Sequence, residues 1–160
     1  MVERLLDELG ERPGNEEAVS EARSLVSSYP LSVCGFVRRR LGSDFALALT
    51  AAVPPSGEQP KAEVITRIGK LPFRAVLTTA LNDALVSACT EEKPDVRVYR
   101  ADQAEEVRRD GRGRYVLRLL GGADQPDTIL FSESDLRRVL ADESFRSLIG
   151  DLYNKRSFLF

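Results

Sequence analysis

Two short stretches of the chain put polar side chains where an α/β protein does its chemistry. Thr78-Thr79-Ala80-Leu81-Asn82-Asp83 joins a strand-type run to a run of helix formers. In open α/β sheets ligands bind beyond the carboxyl ends of strands, and a helix start favours an anion or phosphate. Thr78, Thr79, Asn82 and Asp83 are therefore candidate ligand-binding residues, although the same residue types also make ordinary strand-end and helix caps. The second stretch is Leu120-Gly121-Gly122-Ala123-Asp124, again just after a strand-type run. Its paired glycines suit either the close approach of a ligand to backbone or a tight connection. Gly111-Arg112-Gly113 lacks the third glycine and the preceding buried strand of a phosphate loop, and reads as a hairpin turn or loop.

The composition removes several chemistries. The chain has no His, so Ser-His and Cys-His catalysis, the usual zinc sites and the commonest general base near neutral pH are all absent. Cys34 and Cys89 belong to no Cys-x-x-Cys unit and read as free thiols in a reducing compartment. No pair of carboxylates stands out by spacing or apolar surroundings, so a glycosidase-type dyad is neither proposed nor excluded. Arg108, Arg109, Arg112, Arg114 and Arg118 surround Tyr115 in a basic cluster that could touch nucleic-acid phosphates. Glu105, Glu106, Asp110 and a net charge of -2 favour a solvated, charge-mixed face instead. A small nucleic-acid-binding domain is kept as an alternative with a salt-dependent signature.

These residues need a scaffold. A length of 160 residues, 42% hydrophobic and 30% charged, fits one soluble globular domain, 1–160. Residues 1–70 read as mainly helical. Asn15 can cap a helix with Ala18, Ala22, Leu25, Val26 and Tyr29 on one face, which Pro30 ends. Ser32 starts the next, with Val33, Phe36, Val37 and Leu41 together and Gly42 as its stop. Phe45 to Val53 is so apolar that a helix there should be buried on most sides. Pro54, Pro55, Ser56, Gly57 and Pro60 make a loop, and a further helix carries Val64, Ile65 and Ile68 up to Gly69.

Residues 71–160 change texture. Strands are expected at Arg74–Thr78, Val96–Tyr99, Tyr115–Leu119 and Thr128–Phe131, with helix formers from Leu81 to Cys89 and a turn at Asp110–Gly113. Ser132 and Asp135 have the spacing of a capping box, opening a helix with Leu136, Val139 and Leu140 inward. Phe145, Leu148, Ile149, Leu152 and Tyr153 give the best amphipathic helix. Strands separated by helices imply an α/β fold with a mostly parallel sheet behind a helical N-terminal portion. The apolar ending Ser157-Phe158-Leu159-Phe160 suggests a fragment of a longer protein. The first residues carry acids, and no apolar run suits a signal peptide or approaches the roughly 18 residues of a membrane span. The expected location is cytoplasmic.

The second half resembles a known family. Leu71-Pro72-Phe73-Arg74-Ala75-Val76-Leu77-Thr78-Thr79-Ala80-Leu81-Asn82-Asp83-Ala84-Leu85 is similar to the "lpf..iiTTNyDdlle" of bacterial sirtuin-like domains. Val116-Leu117-Arg118-Leu119-Leu120-Gly121-Gly122 followed by Pro126-Asp127-Thr128-Ile129-Leu130 is similar to "vlKlHGd...pdtivl", and Asp135 to the "ddy" after it. Arg156-Ser157-Phe158-Leu159-Phe160 resembles "rtflFiG" cut before its glycine. The resemblance implies a Rossmann-like fold that binds NAD and, in many members, cleaves its nicotinamide–ribose bond, often in defence against phage.

It also implies which parts are degenerate here. The family's Asn after the two threonines is Ala80, its following Asp is Asn82 with Asp83 alongside, and its His base is Leu120. The glycine-rich first turn that cradles the pyrophosphate has no counterpart. Loss of acid–base help alone costs about 10²–10⁴-fold in rate. The expectation is a non-catalytic module that binds NAD or ADP-ribose weakly through Thr78, Thr79, Asn82, Asp83 and Gly121, or that contacts other domains or proteins, without metal or membrane. An active NAD hydrolase using atypical residues is the enzymatic alternative.

Overall fold

The structure, a computed structural model, describes residues 1–53, 62–110 and 112–155. Four helices come first: α1 (Val2–Gly10), α2 (Glu16–Leu25), α3 (Pro30–Leu41) and α4 (Phe45–Ala52). Their shared interior holds Leu5, Leu6, Leu9, Val37 and Leu49, all fully buried. Gly42 ends α3 at φ 55, a left-handed stop that suits glycine. Pro30 does not end the preceding helix from outside. It is the first residue of α3, where its missing N–H costs nothing. Helix α2 stops at Leu25, and Leu25 and Tyr29 are exposed, so its inward face is Val19 and Ala22. Asn15 precedes α2, but its amide donates to the Arg12 carbonyl at 3.3 Å and does not cap. Helix α4 is not buried all round. Phe45, Ala48, Leu49 and Ala52 face the core while Leu47 is 77% exposed.

The remaining described elements are α5 (Ala62–Lys70), β1 (Ala75–Thr78), α6 (Ala84–Glu92), β2 (Arg97–Arg100), α7 (Ala104–Asp110), β3 (Tyr115–Arg118), α8 (Glu133–Ala141) and α9 (Glu143–Lys155). The expected loop at 54–60 and the ending at 157–160 lie outside the described residues. The strands form a parallel sheet in the order β1-β3-β2. This is the expected α/β class with a Rossmann-like partial sheet. Central β3 is buried along its whole length. Tyr99, Tyr115 and Leu117 point to one face, where they share a core with Val107 of α7, Val139 of α8, and Phe145 and Leu148 of α9. Helix α6 packs against α5 on the opposite side of the chain's strands, and Val76, Cys89 and Val116 meet there. Cys34 and Cys89 are buried and free. Burial pushes the Cys34 thiol up to about 11 and raises that of Cys89 as well.

Three expectations are corrected. The charged stretch before Asp110 is helix α7 and β2 and β3 are parallel, so the turn expected here, present at Arg112, closes a helical crossover and not a hairpin. Thr128–Phe131 is not a strand. Pro126–Thr128 is a 3₁₀ turn, after which Ile129 and Phe131 enter the helical core and Leu130 leans on the sheet core. Its successive side chains do turn to opposite sides, but the two sides meet two different cores, with one ladder-like bond from Leu130 N–H to the Leu120 carbonyl at 3.1 Å. Leu140 and Tyr153, expected inward, are exposed at 57% and 74%.

The capping box is present. The Ser132 hydroxyl accepts from the Asp135 N–H at 3.2 Å, and the Asp135 carboxylate accepts from the Ser132 N–H at 3.1 Å. The same carboxylate oxygen accepts from Arg38 of α3 at 2.9 Å. Arg38 also lies over the Phe45 ring, which packs on Phe131 with centroids 4.9 Å apart. This seam joins the helical part to the sheet.

Candidate functional site

Parallel register sets the site. Thr78, Arg118 and Arg100 are aligned across the three strands as the last rung at the carboxyl end of the sheet. Side chains of one rung share a face. Thr78 and Arg118 are also the buried polar residues among those described.

Each candidate residue has a distinct place. The Thr78 hydroxyl accepts the Ala80 N–H at 3.0 Å, closing the end of β1. The Asn82 carbonyl oxygen accepts the Ala84 N–H at 3.1 Å and opens α6. Thr79 is exposed, and Ala80 and Leu120 are half-buried. Asp83, which precedes α6, makes no cap; its Oδ1 accepts from Arg118 Nη2 at 2.6 Å. Gly121 has φ +80, and a Cβ there would come within 2.6 Å of the Thr128 carbonyl oxygen. The close approach it permits is therefore to the chain's own segment.

Arg118 organises this end of the sheet. Its side chain is only 7% exposed, with Asp83 and Asp124 at 44% and 40%. Nη1 donates to Asp124 Oδ1 at 2.9 Å, and Nη2 donates to the Leu81 carbonyl at 3.2 Å as well as to Asp83. Leu81 accepts a second bond, from Ala123 N–H at 2.8 Å, so the two loops are stitched together. Nε is buried without a partner. A guanidinium taken out of water needs such compensation, because it keeps its charge at any ordinary pH.

Sequence reasoning placed Arg118 in an exposed basic cluster with Arg108 and Arg109; the structure separates them. Arg108 and Arg109 lie exposed on α7, away from the buried Arg118. Asp124 ends the second candidate stretch, and it is the carboxylate that holds Arg118 Nη1. The available signal for Arg118 was a charged residue closing a strand-type run, Tyr-Val-Leu-Arg.

A cleft of about 330 Å³ opens beside this rung, lined chiefly by Asp83, Ser87, Arg100, Arg118, Asp124 and Gln125. Arg100 forms its rim, donating to Asp102 at 3.1 Å and to the Gln125 side-chain oxygen at 3.1 Å. Of the candidates from sequence, Asp83 lines the cleft; Thr78 and Asn82 spend their oxygens on backbone. Among the described residues no group of three or more His, Cys, Asp or Glu is placed to hold a metal, and no helix is long and apolar enough to cross a membrane.

A dinucleotide fits the cleft only in part. The volume is at the lower end of the roughly 300–1,000 Å³ of small-molecule sites. At the start of α6 the Ala84 N–H is bonded to the Asn82 side-chain oxygen, and the Asp83 carboxylate is held by Arg118. The two carboxylates of the lining, Asp83 and Asp124, suit the hydroxyls of a nucleoside half better than a pyrophosphate.

A family model described as "SIR2-like domain" matches residues 74–160, just over half of the chain. The match spans all three strands, both loops bonded to Arg118 and the cleft. No curated protein and no solved structure matches the chain.

Proposed function

Because this chain belongs to the SIR2-like domain family, we propose that it acts as a non-catalytic module that binds NAD or ADP-ribose weakly, within a bacterial defence-type protein containing further domains or partners. The observation that carries this reading is the state of the site. A polar cleft persists beyond the strand ends, but the positions of the family's amide and base are Ala80 and Leu120. Leu120 offers no proton acceptor, and Asp83 and Asp124 each give one oxygen to Arg118. With two carboxylates in the cleft lining, affinity would rest on the nucleoside half, and weak binding is expected.

Calorimetric titration with NAD and with ADP-ribose, alongside an assay for nicotinamide release, tests the proposal. The expected result is heat from at least one ligand and no release. Release should emerge only when Leu120→His and Ala80→Asn are combined. Absence of heat from both ligands in folded protein overturns the binding role and leaves protein contact. Release by the unaltered chain overturns the non-catalytic role in favour of a hydrolase using other residues.

A further inference from the structure

The surroundings of Arg118 make up a receptor for the two terminal nitrogens of a guanidinium group. Two carboxylate oxygens and one carbonyl converge on its terminal nitrogens, from Asp83, Asp124 and Leu81. The receptor has a flat floor. A Cβ built on Gly122 would overlap the Arg118 guanidinium and crowd Asp124 Oδ1, so the group lies directly against the Gly122 backbone. Gly122 has no positive φ that would itself demand glycine. Contact with the cation accounts for the residue. Nε, on a side chain more than nine-tenths buried, is the one guanidinium nitrogen that the receptor leaves without a partner.

We infer that the cleft contains a guanidinium-binding site, built from Asp83, Asp124, the Leu81 carbonyl and the Gly122 floor, that the chain fills with its own Arg118. The tethered side chain is present at an effective concentration far above that of any free competitor, so the site is closed in the unaltered protein. Its ligand class is the monosubstituted guanidinium: planar, permanently charged and matched to a forked pair of carboxylates. This inference rests on the receptor's own residues and holds whether or not the cleft binds a nucleotide.

Emptying the site tests it. Arg118→Ala leaves two neighbouring carboxylates without their cation and should lower the melting temperature by roughly 5–10 °C. Millimolar n-propylguanidinium, the detached end of the arginine side chain, should then raise the variant's melting temperature by several degrees. It should leave the unaltered protein unchanged, and n-propylammonium at the same concentration should do much less. Gly122→Ala keeps every charge but evicts the group, so it should show a similar loss without rescue. Combining it with Arg118→Ala should cost less than the two losses added. If Arg118→Ala does not fold, Arg118→Lys provides the comparison, with a partial loss from its unforked ammonium. The inference is overturned if n-propylguanidinium and n-propylammonium act alike on the emptied site, or if the Gly122→Ala and Arg118→Ala losses simply add.

Discussion

The helical part of the chain and the carboxyl end of the sheet bury very different material. Among α1–α4 the interior is apolar throughout, and Leu5, Leu6, Leu9, Val37 and Leu49 are sealed from solvent. At the sheet end, the last rung buries a hydroxyl and a guanidinium with partners for most of their polar atoms. Apolar burial has no direction and tolerates exchange of one hydrocarbon for another. A buried cation is directional, because each of its donors must meet an acceptor or lose stability. The first region is therefore held by apolar burial, while the second is specified atom by atom.

Substitutions can sharpen or break that contrast. The largest effect is expected in the helical core. Leu49→Ala should cost about 3 kcal/mol by leaving a cavity, measured by the shift in denaturant midpoint, without altering any ligand response of the cleft. A change in that response would mean that the two regions are not separable.

Gly121→Ala comes next. Its positive φ and the Thr128 carbonyl 2.6 Å from the added Cβ should cost about 2 kcal/mol. Because the displaced segment is the one behind the cleft, this variant should affect stability and binding together.

The smallest effect belongs to the seam. Burial works to raise the Asp135 pKa, but the Ser132 hydroxyl, the Phe131 N–H, Arg38 and the Ser132 N–H together hold it below the ordinary carboxylate value. A folded pKa below the unfolded one means that Asp135 adds stability above pH 3.8, and that this is lost as pH falls through the depressed value. Asp135→Asn should cost about 1 kcal/mol at neutral pH. It should also flatten that part of the acid unfolding curve, followed by circular dichroism; an unchanged acid limb would mean the seam carries no charge-dependent stability.

Much of the scaffold was legible before folding. Helical spacing located α3 through Val33, Val37 and Leu41, and Ser132 with Asp135 announced α8. Strand-type runs marked β1, β2 and β3. The failures share a cause. Thr128–Phe131 is a short apolar run of strand type, yet its two sides serve two different cores. Leu47 is as apolar as Leu49, and nothing local says which of them faces water.

Residue types and near neighbours were enough for the local elements, the α/β class and the absence of histidine chemistry, because each depends on residue type or on neighbours within a few turns. Tertiary structure alone decided that Arg118, among five clustered arginines, would be buried. It also decided that Asp83 would meet Arg118 35 residues away instead of capping its own helix. The reason is the parallel register. It brings Thr78, Arg118 and Arg100 to one rung, and that alignment depends on crossovers whose geometry no short stretch of sequence contains.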